Sequence, residues 1–284
     1  MPDQKLLYGR LKYDVFFKKV FHQKHILKAF LNTALGPELP APIADLSYEP
    51  TDFIIAGTAK LLQETQHDVI DVFCITEQNQ RILVELQKGT NKYAMARFLD
   101  YQCRNYSSQF PTGAEYRSVV PCYSICWFFD LQPPHKRIKE TTSLTSDCTK
   151  TDWQFAWKIV ALYPRNIPQS HIEQRHIDQL EEWLLLDVNQ DIATAHTIQQ
   201  LLHTPEVKEA FQQLDLSELS EEQIRRIMFE EQLTEHADLY EEKLRERERE
   251  RNMEIAKNLL AQHIDIDIIV RSTGISLEEL QQML

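Results

Sequence analysis

In the stretch Val69 to Gln87, VIDVFCITEQNQRILVELQ, β-branched and aromatic residues cluster on either side of a polar break. The pattern predicts two short strands joined by a turn at Glu77 to Arg81. Side chains alternate along a strand, so Ile82, Val84 and Leu86 point one way while Arg81, Leu83, Glu85 and Gln87 point the other. Glu85 and Gln87 then share a face, roughly 7 Å apart at ~3.3 Å per residue. Asp71 interrupts the apolar run of the first strand, between Ile70 and Val72. A carboxylate there is costly to bury unless a cation, a hydrogen-bond donor or water compensates it. Two carboxylates on neighbouring strands, with a polar group one step beyond the second, suit Mg²⁺ beside a phosphate.

The same periodicities organise the rest of the chain. Phe17, Val20, Phe21, Ile26, Leu27, Phe30 and Leu31 recur at helical spacing, predicting one helix from Leu11 to Leu35, entered near Tyr13 and Asp14 and ended by Gly36 and Pro37. Residues 36 to 52 hold four prolines and read as an irregular loop, with Phe53 to Ile55 a short strand after it. Lys92 to Gln109 suits a helix whose stripe mixes Arg97 and Arg104 with tyrosines, as a phosphate-lined cleft or an ordinary Arg–Tyr packing face would. Val119 to Phe129 is almost continuously apolar, as expected of a central strand covered on both faces. Residues 131 to 150 read as a polar loop, and Trp153 to Leu162 as a strand closed by Pro164. From Ile172 onward only helical patterns remain, including one long pattern from Glu221 to Gln262. Its RERERERN run at 245 to 252 has no apolar anchor, and its charges nearly cancel. The last residues read as helix, turn at Thr273 and Gly274, and helix, with Ser276 and Glu279 as a capping box. This hairpin resembles helix-turn-helix pieces, but Arg271 is its one basic residue, which favours packing or self-association over DNA reading.

Charge changes the picture. The net charge of −12 looks hostile to nucleic acid, yet residues 171 to 250 carry 8 Lys/Arg against 21 Asp/Glu, so the remainder is close to neutral. Residues 1 to 30 hold seven basic and two acidic side chains. The N-terminal part is thus free to approach phosphates. Five cysteines, an odd number in largely apolar surroundings, suit reduced thiols better than a disulfide framework. No second Cys/His pair at zinc spacing accompanies Cys122 and Cys126. No apolar run reaches the length of a membrane span, and MPDQKLLYGR lacks a signal peptide's apolar region, so a soluble, cytoplasmic protein is expected.

Taken together, KYDVFFKKVF at 12 to 21, DVFCITEQNQRILVELQ at 71 to 87, the Arg97 to Tyr101 helix with Gln109 downstream, GAEYRSVVPCYSICWFFD at 113 to 130 and STGISLEEL at 272 to 280 resemble the Rpn/YhgA-like family. Its members are described as PD-(D/E)XK nuclease family transposases or recombination-promoting nucleases. The resemblance implies an α/β, restriction-endonuclease-like mixed sheet flanked by helices, followed by an all-helical C-terminal region. The implied division is a nuclease-like domain over 1–165, an acidic helical region over 166–235 and a charged helix with a small hairpin over 236–284. It implies a Mg²⁺-dependent DNA endonuclease, with Mn²⁺ as a substitute and promotion of DNA recombination as its role. Asp71 and Glu85 correspond to the metal ligands, and Asp14 to an additional acidic residue. Gln87 departs from the superfamily's usual lysine, although glutamine is frequent in this branch. An amide can orient a water or hydrogen-bond a phosphate but cannot supply lysine's charge; Lys88 falls on the opposite face if the strand continues, whereas Lys92 or Lys18 could reach in from a helix.

The expected reaction is hydrolysis of a DNA phosphodiester. Asp71, Glu85 and a backbone carbonyl near Leu86 would hold the metal, with Gln87 positioning the attacking water. Two other classes stand beside this. One is a catalytically degenerate nuclease fold that binds nucleic acid or protein. The other is an assembly protein working through its acidic helical half. A homo-oligomer formed through the C-terminal helices fits either cutting of both strands or assembly, and no membrane partner is expected.

Overall fold

The computed structural model describes residues 8–50, 71–88, 94–110, 119–129, 131, 133, 135–149, 157–188, 194–262 and 264–281, with the backbone alone for 230–248. Among these residues six strands form one mixed sheet: β1 (Leu46–Tyr48), β2 (Val72–Thr76), β3 (Arg81–Gln87), β4 (Cys122–Phe128), β5 (Lys139–Ser143) and β6 (Trp157–Leu162), in the order β1-β2-β3-β4-β6-β5. The first three strands are antiparallel, β4 runs parallel to both β3 and β6, and β5 closes the far edge antiparallel to β6.

The β2–β3 hairpin forms where the polar break stands. Asn79 takes φ 62°, a left-handed conformation that asparagine tolerates. Thr76 Oγ1 accepts from the Gln78 and Gln80 amides at 3.3 and 3.2 Å, satisfying backbone donors that the turn frees from the ladder. The alternation read along β3 sorts the two faces. Ile82, Val84 and Leu86 join the larger core, whereas Leu83 joins Phe73, Phe128 and Ala161 in a second layer. β4 is buried along its whole length, as its unbroken apolar run predicts of a central strand.

The larger core is covered by helices α1 (Asp14–Phe21) and α2 (Lys24–Leu35). The single helix expected from Leu11 to Leu35 is divided: Gln23 is extended, at φ −87° and ψ 107°. Phe17, Val20 and Phe21 lie on one stripe, but Ile26, Leu27, Phe30 and Leu31 lie about 100° further round, a one-residue slip in phase. Breaking the helix lets both stripes reach the same core. There Phe30 packs between Trp127 of β4 and Trp183, with ring centroids 5.2 and 5.5 Å away. Trp183 belongs to α5 (Gln179–Leu185), which follows α4 (Gln169–Gln174) and precedes α6 (Ala195–Leu201) and α7 (Pro205–Gln212). Buried residues of these helices continue the core of the sheet. The opposite face of the sheet is covered by α3 (Ala94–Ser107), which buries Ala94, Phe98, Tyr101, Gln102 and Asn105.

Two segments read as loops contain edge strands. β1 lies within the proline-rich stretch and pairs with β2, its entrance held by Glu77, whose carboxylate accepts from the Ala44 and Asp45 amides at 3.1 and 3.0 Å. β5, KETTS, is a mostly exposed outer strand, so it carries no apolar alternation to announce it. The strand expected at Phe53 to Ile55, and the start of the one expected from Trp153, lie outside the described residues.

The chain divides into two compact units, Met1–Met228 and Phe229–Leu284. The long pattern from Glu221 is one helix, α8 (Glu221–Ala261). In the second unit it is followed by α9 (Ile266–Thr273) and α10 (Leu277–Gln281), where Ala256, Ile269, Ile275 and Leu280 make a small core. Gly274 ends α9 at φ 68°, and Ser276 and Glu279 exchange backbone and side-chain bonds at 3.2 Å, the expected capping box. No helix among the described residues is long and apolar enough to cross a membrane.

Gly9 sits against the core ring of Phe16, where a Cβ would come within 1.9 Å of the ring. Gly9→Ala should therefore destabilise the protein by about 1–3 kcal/mol through overpacking. Gly36 has open space and helical dihedrals, so Gly36→Ala should be neutral or stabilise by about 0.4–1 kcal/mol. Urea unfolding of the two variants checks the contrast.

Candidate active site at the end of the hairpin

The β2–β3 register pairs Val72 with Val84, which brings Asp71, one residue earlier, level with Glu85. The two carboxylates lock the strand ends reciprocally. Leu86 N–H donates to Asp71 Oδ2 at 2.7 Å, and Asp71 N–H donates to Glu85 Oε2 at 3.3 Å. Each acid thus satisfies a backbone donor of the other strand at the point where the ladder stops. Glu85 and Gln87 follow the alternation onto the α3 side of β3 and are 7% and 4% exposed. Directly behind, Cys126 of β4 is the register partner of Glu85. Burial drives its thiol well above the ordinary range, and burial likewise pushes Cys122 up to about 12, so both are inert core thiols.

Burial also pushes the Asp71 carboxyl from 3.8 up to about 6. The negative charge of Asp14 adds to this, while the Leu86 amide and the positive charges of Lys18 and Lys88 act against it. Desolvation is the dominant cause, as expected of a carboxylate short of compensating charge. Asp14 opens α1, near enough for its charge to act on Asp71. It is paired with Lys18 one turn on, at 2.8 Å, rather than joined to the other two acids. No three acidic, histidine or cysteine side chains among the described residues converge as a ready ligand set. The acids brought together are Asp71 and Glu85. Their all-oxygen donors in a poorly hydrated place fit a hard divalent cation such as Mg²⁺ or Mn²⁺.

Gln87 is placed as expected, but both ends of its amide are engaged within the protein. Nε2 donates to Lys88 O at 2.6 Å, and Oε1 accepts from Arg97 Nη2 at 2.8 Å. The same Arg97 nitrogen lies 3.4 Å from Glu85 Oε1. Of the two arginines on the Arg/Tyr stripe, Arg97 reaches the Glu85 carboxylate, whereas Arg104 pairs with Asp100 on the outer surface of α3 at 2.8 Å. The sequence pattern left Arg97 open between packing and phosphate contact. The usable signal was the uncharged Gln87 beside the Glu85 carboxylate on one buried face, which asks for a cation from another element. Lys88 lies past the end of β3, where it lowers rather than ignores Asp71, and Lys92 lies outside the described residues. Gln109 serves the fold, exchanging bonds with the Val120 backbone at 2.9 and 3.0 Å.

Comparison with known proteins agrees with this architecture. Residues 11–252 match the family described as PD-(D/E)XK nuclease family transposase. Residues 249–284 match the Rpn/YhgA-like nuclease family, C-terminal HTH domain, so the final hairpin, together with the end of α8, is of the helix-turn-helix kind that it resembled in sequence. No curated protein and no solved structure matches the chain. With a mixed sheet, a carboxylate pair across the end of the β2–β3 hairpin and a match over most of its length, the chain belongs to the PD-(D/E)XK nuclease family transposases.

Proposed function

We propose that the protein is a metal-dependent DNA endonuclease that hydrolyses phosphodiester bonds, with Asp71 and Glu85 as metal ligands. The reciprocal lock of Asp71 and Glu85 across the end of β2–β3 carries this reading, because it holds a half-buried and a buried carboxylate side by side at a cost that a bound cation would offset. A divalent ion held there supplies polarisation of the phosphate and a lowered pKa for the attacking water. The protein's own groups do the rest. Asp71 and Glu85 fix the ion's position, and the sheet excludes bulk water behind them. Asp14 supplies a further negative charge whose reach is tempered by Lys18. Promotion of recombination is proposed as the outcome of such cutting, with the C-terminal helix-turn-helix docking the enzyme on DNA and self-association through the C-terminal helices placing two sites on one duplex.

A second reading has one observation in its favour: Gln87 carries no charge and its amide is already engaged. In that case the fold binds DNA without cutting it. The two diverge on supercoiled plasmid with Mg²⁺ or Mn²⁺. Wild-type protein is expected to nick or linearise it, with Asp71→Ala and Glu85→Ala slower by about 100-fold or more and EDTA abolishing the reaction. A well-folded wild type that binds DNA but leaves every substrate intact establishes the binding reading instead.

The metal reading also predicts a stability signature. Asp71 holds its proton more tightly folded than unfolded, its value rising from 3.8 to about 6. The stability this contributes is fully present below pH 4 and is lost as pH rises through 6. At pH 8 without divalent metal, Asp71→Asn should therefore be more stable than wild type, by roughly 1–3 kcal/mol, the gap closing below pH 4. Added Mg²⁺ should stabilise the wild type and not the variant. Urea unfolding at the two pH values checks this, and an Asn variant weaker at pH 8 would count against a charged, strained Asp71.

A further inference from the structure

A lysine two residues after the second acid would place a positive charge beside the metal pair, and this chain has an amide there. α3 brings a cation to that amide. Arg97 Nη2 donates to Gln87 Oε1 at 2.8 Å while standing 3.4 Å from Glu85 Oε1, so the guanidinium is held by the side chain at that position. The other end of the Gln87 amide is tied to Lys88 O at 2.6 Å, which sets the direction of its oxygen. Arg97 is equally constrained from its own helix. Phe98 packs edge-on against Phe128 of β4, with centroids 5.6 Å apart, and the Arg97 guanidinium carbon lies 5.5 Å from the Phe98 ring centre. Further along α3, buried Gln102 donates to Cys122 O at 2.7 Å and accepts from Ser124 Oγ, which fixes the helix against the sheet.

Resting on the nuclease reading above, we propose that Arg97 is the catalytic cation of this site, neutralising the phosphate being cut, and that Gln87 is the residue that positions it. A guanidinium suits the task because its planar fork of donors matches phosphate oxygens. Lys18 is less suited, being closed into a pair with Asp14 at 2.8 Å, and Arg104 is turned toward Asp100. In the reaction a water oxygen forms the new bond to phosphorus, the bond to the leaving sugar oxygen breaks, the attacking water gives up its proton to solvent and the leaving oxygen takes one. Arg97 exchanges no proton and holds the charge that grows on a non-bridging oxygen. Before substrate arrives, the same group is a counter-charge for Glu85, which eases its burial.

Plasmid cleavage in Mn²⁺ by the full-length protein tests the assignment. Arg97→Ala should cut about 100-fold more slowly than wild type, and Arg97→Lys should lose less. Gln87→Lys combined with Arg97→Ala should recover at least tenfold over Arg97→Ala, because the charge is restored from the strand. A brace that merely held α3 in place would not be rescued in this way. A second readout does not depend on turnover. In the Asp71→Asn background, Arg97→Ala should reduce the salt dependence of binding to a short DNA duplex by about one unit of slope, the signature of one lost phosphate contact. A wild type that does not cut overturns the nuclease reading and this inference with it. A wild type that cuts while Arg97→Ala cuts equally well, or whose loss in Arg97→Ala is not relieved by Gln87→Lys, overturns this inference alone.

Discussion

A carboxylate can be withdrawn from water at the end of a sheet only if something answers its charge and its lone pairs, and one end of this protein's sheet is arranged around two that must be answered together. Asp71 and Glu85 do part of this for each other's strands, each accepting a backbone amide across the β2–β3 step. That arrangement requires the hairpin register, which requires the Asn79 turn, and it requires β3 to be covered on both faces so that water does not satisfy the acids instead. α1 and α3 then approach from different sides, one carrying Asp14 and Lys18 and the other Arg97. The charges at this end of the sheet are therefore mutually dependent. Removing one cation or one acid changes the balance for all the others, as the several groups acting on Asp71 make plain.

How much of this was legible in the sequence depended on whether a feature was local. The faces of β3 could be read because a strand's period is two and both of its faces are buried, so Glu85 and Gln87 had to share a side. The capping box at Ser276 could be read because its partners are three residues apart. The division of α1 from α2 was present as a slip in phase, but a list of apolar residues at roughly helical spacing conceals a one-residue slip. β1 and β5 were not legible: a three-residue strand among prolines and a polar outer strand exist because a neighbouring strand offers them a ladder, not because of their own composition. At the site, the carboxylate pair was legible from the strands, whereas the Arg97 contact joins two elements ten residues apart through a side-chain orientation that periodicity does not specify.

A cation reached from α3 differs from a lysine placed on β3 in more than the bearer of the charge. A lysine ammonium at position 87 would be a point charge on a flexible stem, free to close directly onto the Glu85 carboxylate. A guanidinium reached from α3 is held at a distance by the Gln87 amide, with one nitrogen 2.8 Å from the amide oxygen and 3.4 Å from the nearer Glu85 oxygen. The amide oxygen is the nearer acceptor, so Arg97 is not drawn fully onto Glu85. The same logic explains why a neutral residue is tolerable at position 87. Its function there is geometric, and an uncharged side chain with an acceptor at one end and a donor at the other meets it without adding to the desolvation that Asp71 already bears.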